Sequence, residues 1–189
     1  MSPAAGSCNL AISAGAGKPG GRRSAERRSA WWKAQELLAR RAHGTAELER
    51  KLRERGFPAA EIAAALEKLT RRGLLDDEAY ALALTAELFL KRGYGYYAIL
   101  PRLRRRGLAA ELCRRVLSDY FAGLDPDDLQ RGLQRALARC RRRGDDAPRC
   151  LYERLKRRGF RSGEICLALD ASGVDKDGIV GLPEDEQFL

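Results

Sequence analysis

A chain of 189 residues with 44% apolar and 33% charged side chains and a net charge of +10 has a globular composition, not a disordered one. No apolar run approaches the roughly 20 residues that span a bilayer, and the five cysteines are odd in number with no C-x2-C pair. These features argue against a membrane protein, a disulfide framework and a zinc site, and for reduced thiols in the cytoplasm.

Residues 1–28 are rich in Ala, Gly and Ser and carry +4 from Lys18, Arg22, Arg23, Arg27 and Arg28 against Glu26. Such a segment cannot bury enough surface to offset its ordering entropy, so it is expected to be a disordered basic N-terminal segment. The first helix is expected over about Ala30–Arg41, where Trp31, Ala34, Leu37 and Leu38 recur at spacings of three and four. His43-Gly44 breaks it. Thr45 is the expected N-cap of a second helix, with Glu47 at its positive end and Leu48 and Leu52 on its inner face. Gly56 ends that helix, and Pro58 opens a third whose inner face is Ile62, Ala65, Leu66 and Leu69.

The cycle restarts at Asp76, an expected cap with Asp77 for a long helix reaching about Arg92, with Leu75 and Tyr80 as a staple. Gly93-Tyr94-Gly95 reads as a turn. Pro101 would cost about 3 kcal/mol inside a helix, so the next helix is expected to start near Leu100. Leu112, Val116, Leu117 and Tyr120 then mark the next helical face. A third cycle is capped at Asp125 or Asp127, runs to Arg143, breaks at Gly144, resumes to Arg158, and ends on Ile165, Ala168 and Leu169 after Gly159. Residues 174–189 form an acidic tail of charge −4.

One pattern is written three times: Leu48-x3-Leu52-x3-Gly56-Phe57, Ile99-x3-Leu103-x3-Gly107-Leu108 and Leu151-x3-Leu155-x3-Gly159-Phe160. A period of about fifty residues and no period-two alternation give an all-α chain of three tandem three-helix repeats in an elongated, curved array. The repeats are expected at 29–75, 76–124 and 125–173. The two tails cancel in charge, so this body carries the whole positive excess and suits a polyanionic partner, unless a bias toward arginine alone inflated it. Candidate contacts are the basic runs beside the glycines, Arg53 and Arg55, Arg104, Arg105 and Arg106, and Lys156, Arg157 and Arg158, together with Arg141, Arg142 and Arg143. Each can equally be a solvated helix face. Tyr94, Tyr96 and Tyr97 can anchor an interface or pack between repeats.

Catalytic patterns are missing. His43 is the single histidine and is expected to interact with free carbonyls at a helix end, and no phosphate-cradling G-x4-G-K-[S/T] occurs. Asp76-Asp77-Glu78 is read as a helix cap in preference to a metal site, because consecutive helical positions diverge. A non-enzymatic chain without metal or cofactor is the expectation.

Ala39-Arg40-Arg41, Glu47-Leu48-x3-Leu52-x3-Gly56-Phe57, Gly73-Leu74-Leu75-Asp76-Asp77-x2-Tyr80-Ala81 and Gly93-Tyr94-Gly95 resemble RecX regulatory proteins over about residues 30–173. Leu74 to Ala81 is the most specific stretch, and Pro101 and the two tails depart from the pattern. The resemblance implies a cytoplasmic bacterial protein, expected as a monomer. It would bind the RecA recombinase filament and its single-stranded DNA, and restrain ATPase and strand exchange in DNA repair and the SOS response. A general nucleic-acid-binding helical repeat with no recombinase partner is the alternative.

Overall fold

The computed structural model describes residues 29–141 and 147–174; the basic N-terminal segment, Arg142, Arg143 and Gly144 with the two residues after it, and the acidic tail beyond residue 174 lie outside them. Helix α1 (Ala30–Arg40) starts on the Ser29 side chain, which accepts from the Trp32 amide at 3.3 Å. Its free Ala30 amide reaches across to Glu61 Oε1 at 2.7 Å, tying it to α3 (Ala59–Arg71). Between them runs α2 (Thr45–Arg53). Ala34 and Leu37, Leu48 and Leu52, and Ile62, Ala65 and Leu69 close one small core. That set is the 3.6-period apolar stripe of each helix turned inward.

The second repeat is α4 (Asp77–Ala86), α5 (Tyr96–Arg105) and α6 (Ala110–Ala122), and the third is α7 (Pro126–Arg141), α8 (Pro148–Arg157) and α9 (Ser162–Asp170). The chain is all-α: every element among the described residues is helical. Unlike the first repeat, the second and third share one continuous core, with Phe89, Ile99, Leu103 and Leu117 meeting Leu133, Leu137, Leu155, Phe160 and Leu169. No helix among the described residues is long and apolar enough to cross a membrane.

Three local expectations are corrected. Helix α5 starts at Tyr96, not Leu100, and carries Pro101 inside it. The missing amide bond costs about 3 kcal/mol, and full burial of Ile99 and Leu103, at about 1.5–3 kcal/mol each, offsets it. Thr45 is the first helical residue and not a cap; its amide donates to Asp77 Oδ1 of the next repeat at 2.7 Å. The long helix after Asp76 does not stay α-helical to Arg92 but widens into a π turn over Glu87–Lys91. The extra residue rotates Phe89 fully into the shared core, against Phe121 at 5.2 Å and Tyr120 at 6.2 Å. Asp76 does cap α4, accepting from the Glu78 and Ala79 amides, and Asp125 accepts from the Asp127 amide at the start of α7.

Candidate nucleic-acid interface

Helix α7 separates two faces cleanly. Gly132, Leu133, Ala136, Leu137 and Cys140 are buried, while Arg131, Arg135 and Arg139, four residues apart, are exposed in a row on the other side. Facing that row is the end of the π turn, where Leu90 and Lys91 form the opposite wall of an open groove of about 560 Å³. Arg131 is ion-paired with Asp128, and an Arg139 guanidinium nitrogen donates to the Lys91 carbonyl at 3.2 Å. Neither Arg135 nor Lys91 meets a carboxylate among the described residues. Beyond Arg139 a smaller recess of about 190 Å³ continues the basic surface, lined by Arg154, Arg157, Arg158 and Tyr94.

The groove exists because the second and third repeats interlock behind it. At Gly159 (φ +85°) an added Cβ would lie 2.2 Å from the Ala98 amide nitrogen, so only glycine admits the first turn of α5 there. Two amides at the start of α5 donate across the joint, Gly95 to the Arg158 carbonyl at 2.9 Å and Tyr97 to the Gly159 carbonyl at 3.1 Å. Arg158 closes it with Nε to the Gly93 carbonyl at 2.8 Å and a second bond to the Arg92 carbonyl. Two guanidiniums approach the Tyr94 ring, Arg102 at 3.7 Å and Arg158 at 4.8 Å from its centre. Tyr94 and Arg158 thus hold the joint. Tyr96 packs on Phe121 at 5.9 Å and Tyr97 at 5.4 Å; Tyr97 itself is exposed.

The remaining basic residues fall elsewhere. Arg53 is ion-paired with Glu49, and Arg55 donates to the Lys51 carbonyl at 2.6 Å. Arg104 and Arg105 are exposed, but neither lines the groove. Arg106 turns back to the first repeat, 3.9 Å from Glu47. Arg141 is exposed at the end of α7, and Lys156 and Arg157 are exposed on α8, with Arg157 Nε on the Glu153 carbonyl at 3.3 Å. The structure therefore brings Arg157 and Arg158 to the basic surface and leaves Arg53, Arg55 and Arg104 to Arg106 outside it.

Glu47 is more than a helix-end charge. It is 6% exposed and ringed by Arg41 at 2.5 Å, His43 Nδ1 at 3.3 Å, Lys51 at 3.4 Å and Arg106 at 3.9 Å. Burial pushes its carboxyl up, but the hydrogen bonds from Arg41 and the close approach of Arg41 and His43 outweigh that and hold it at about 2. His43 is correspondingly buried against Glu47 and is not a residue on free helix-end carbonyls; burial lowers its pKa while Glu47 opposes the shift. The three consecutive acids diverge: Asp76 caps α4, Asp77 receives the Thr45 amide, and Glu78 meets Arg115 at 2.8 Å.

The residues that sequence reasoning missed are Lys91, Arg131, Arg135 and Arg139. Their signal was available in part: arginine at every fourth position of α7, opposite Leu133 and Leu137. Nothing in the sequence placed Lys91 beside them, because that depends on the π turn.

Residues 30–69 match the family described as RecX, first three-helix domain. A regulatory protein RecX of Trichlorobacter lovleyi is 38% identical over 68% of this chain and 86% of its own length. One from Chlorobaculum tepidum is 35% identical over 66% of this chain and 76% of its own. Among solved structures, RecX from Lactobacillus salivarius aligns with a TM-score of 0.61 at 19% identity, covering 75% of this chain and 93% of that one. A second crystal structure of regulatory protein RecX aligns with a TM-score of 0.62 at 20% identity over 75% of this chain and 71% of its own.

Proposed function

We infer the function from family and surface together: the chain belongs to the RecX family, and we propose that it binds the RecA recombinase filament on DNA without catalysis of its own. In doing so it restrains the filament's ATPase and strand exchange, as a monomer in the bacterial cytoplasm. Its repeats for this role are residues 29–75, 76–124 and 125–173. The observation that carries the reading is the groove of α7. Arg131, Arg135 and Arg139 stand at intervals of about 6 Å along one helix face, with Lys91 opposite. A row of guanidiniums at that spacing suits successive backbone phosphates, and arginine binds each through paired N–H groups. Binding of this kind releases counterions and is indifferent to base sequence, as a protein that follows a filament over any DNA requires. Several weak contacts along the filament then add through effective concentration.

The test is a recombinase ATPase assay on single-stranded DNA, titrated with the full chain and with an Arg135→Glu/Arg139→Glu variant. The wild type inhibits, and the charge reversal shifts the titration by about tenfold or more. An Arg104→Glu/Arg105→Glu variant serves as the comparison outside the groove. An ATPase unchanged at equimolar wild-type chain, with no filament complex, removes the recombinase from the reading. Equal affinity for free nucleic acid with and without recombinase would leave a general nucleic-acid-binding repeat protein.

A further inference from the structure

A second groove, of about 600 Å³, lies where the first repeat meets the second, and its chemistry is the opposite of the first. Leu38 of α1 and Ala42 just past its end form one wall, Tyr80 and Ala83 of α4 the other, and Leu74 and Asp76 the lip between them. Not one of the chain's 36 lysines and arginines is among the residues that line it. A phosphate backbone has nothing to bind there. Leu74 is 51% exposed although its neighbour Leu75 is buried, and Leu38, Tyr80 and four alanines continue the apolar lining around it. A continuous apolar lining at a groove marks a protein-binding surface in preference to chance apolar exposure.

We propose that this groove docks a helix of the recombinase subunit, with an apolar ridge seated between α1 and α4 and a basic residue against Asp76. The inference rests on the filament reading above and names the protein side of that contact. Three features select the occupant. Alanines on the facing walls let a helix backbone come close while Leu38, Leu74 and Tyr80 rise around it, the arrangement of helix-in-groove recognition. Asp76 is exposed and meets no basic side chain among the described residues, so the lip is negative on an otherwise basic body. The lining residues of α1, Gln35, Leu38 and Ala39, span little more than one helical turn, roughly 6 Å. A groove that short seats one helical segment and not the roughly 800 Å² per partner that a stable pair buries, and two copies carrying +10 each repel. Such a contact is effective only where DNA already concentrates the partner, as on a filament of repeated subunits. Residues 1–28 offer Leu10 and Ile12 as their large aliphatic residues after Met1, too few for a ridge of their own.

The experiment uses the full chain with Ala83→Glu and, separately, Leu74→Asp, both at exposed positions. Helical content and urea midpoint are checked first, and Ala83→Ser is the conservative control. In the recombinase ATPase titration each acidic variant is expected to need about tenfold more protein, equally at low and high salt, while affinity for single-stranded DNA alone stays within about twofold. Ala83→Ser behaves as wild type. If both acidic variants inhibit as the wild type does, the docking site is overturned and the filament reading stands. If the wild type itself leaves the ATPase untouched, both fall. A wild-type dimer in sedimentation that the acidic variants dissociate would assign the groove to a second copy and overturn the proposal.

Discussion

Replacing Arg135 and Arg139 with glutamine tests the basic groove at the point where the structure commits most. Both side chains are exposed; Arg135 has no carboxylate partner among the described residues, and Arg139 has one bond of 3.2 Å to a carbonyl. The fold therefore loses little, and the measured change is one of binding. Each phosphate contact on a single strand contributes about −0.7 to the slope of log K against log salt, so losing two flattens the slope by about 1.4. With the same exponent, affinity falls about 25-fold at 0.1 M salt and much less as salt approaches 1 M. Arg53→Gln/Arg55→Gln is the matched control, since those arginines are engaged by Glu49 and the Lys51 carbonyl and lie off the groove. Fluorescence anisotropy of a labelled oligothymidine across about 0.05–0.3 M salt reads both quantities. An unchanged slope in the α7 variant, or an equal loss in the Arg53/Arg55 variant, would refute the assignment of the groove.

Stability measurements check the rest. Glu47 is held at about 2 against an ordinary 4.5, so its contribution is present above about pH 4.5 and lost as pH falls toward 2. The shift corresponds to about 3 kcal/mol at most, and to about 1–2 after solvent screening by the half-exposed Arg41 and Arg106. Urea melts of Glu47→Gln should show a flatter acid limb than the wild type, and parallel limbs would contradict the cluster. Gly132→Ala gains about 1 kcal/mol of helix propensity, but its Cβ would lie 2.2 Å from the buried Phe89 ring. Overpacking costs about 1–3 kcal/mol, so thermal melts should show net destabilisation; a raised Tm would show that the Phe89 ring can yield. Pro101→Ala restores the missing amide bond and should raise the unfolding free energy by about 1–3 kcal/mol, read as a higher urea midpoint; a lowered midpoint would mean that the proline shapes α5 productively.

The helices were legible because their signals are local. Leu48 and Leu52, or Leu151 and Leu155, announce a buried face by spacing alone, and Asp76 announces a start because its carboxylate can accept from the next turn's amides. What stayed hidden is what depends on a partner far along the chain. Thr45 reads as a cap by type, yet its amide is taken by Asp77 of the following repeat. The basic run at Arg104–Arg106 reads as a contact surface, yet Arg106 is drawn inward by Glu47. Arg158 reads as part of another such run, yet it clamps the Gly93 turn. The α7 row of arginines becomes a groove only because the π turn carries Lys91 opposite it, and a π turn has no sequence signature of comparable strength. The repeat pattern thus exposed the scaffold, while the division of its arginines between joints and surface needed the packing.

That division gives the two joints different physics. The second is apolar and interdigitated: Phe89 against Gly132, Gly159 against Ala98, and one core running through both repeats. Apolar packing of this kind is insensitive to salt and tolerates almost no displacement, since a shift of one ångström would separate or collide whole side chains. The first joint is polar. The first repeat keeps its own core and meets the second through the Thr45–Asp77 bond, the Glu47–Arg106 pair and the close approach of Gly107 to Ala46. Its charges are partly open to water, so screening and acid weaken it while leaving the second joint intact. The second and third repeats should therefore present the basic groove as a fixed surface.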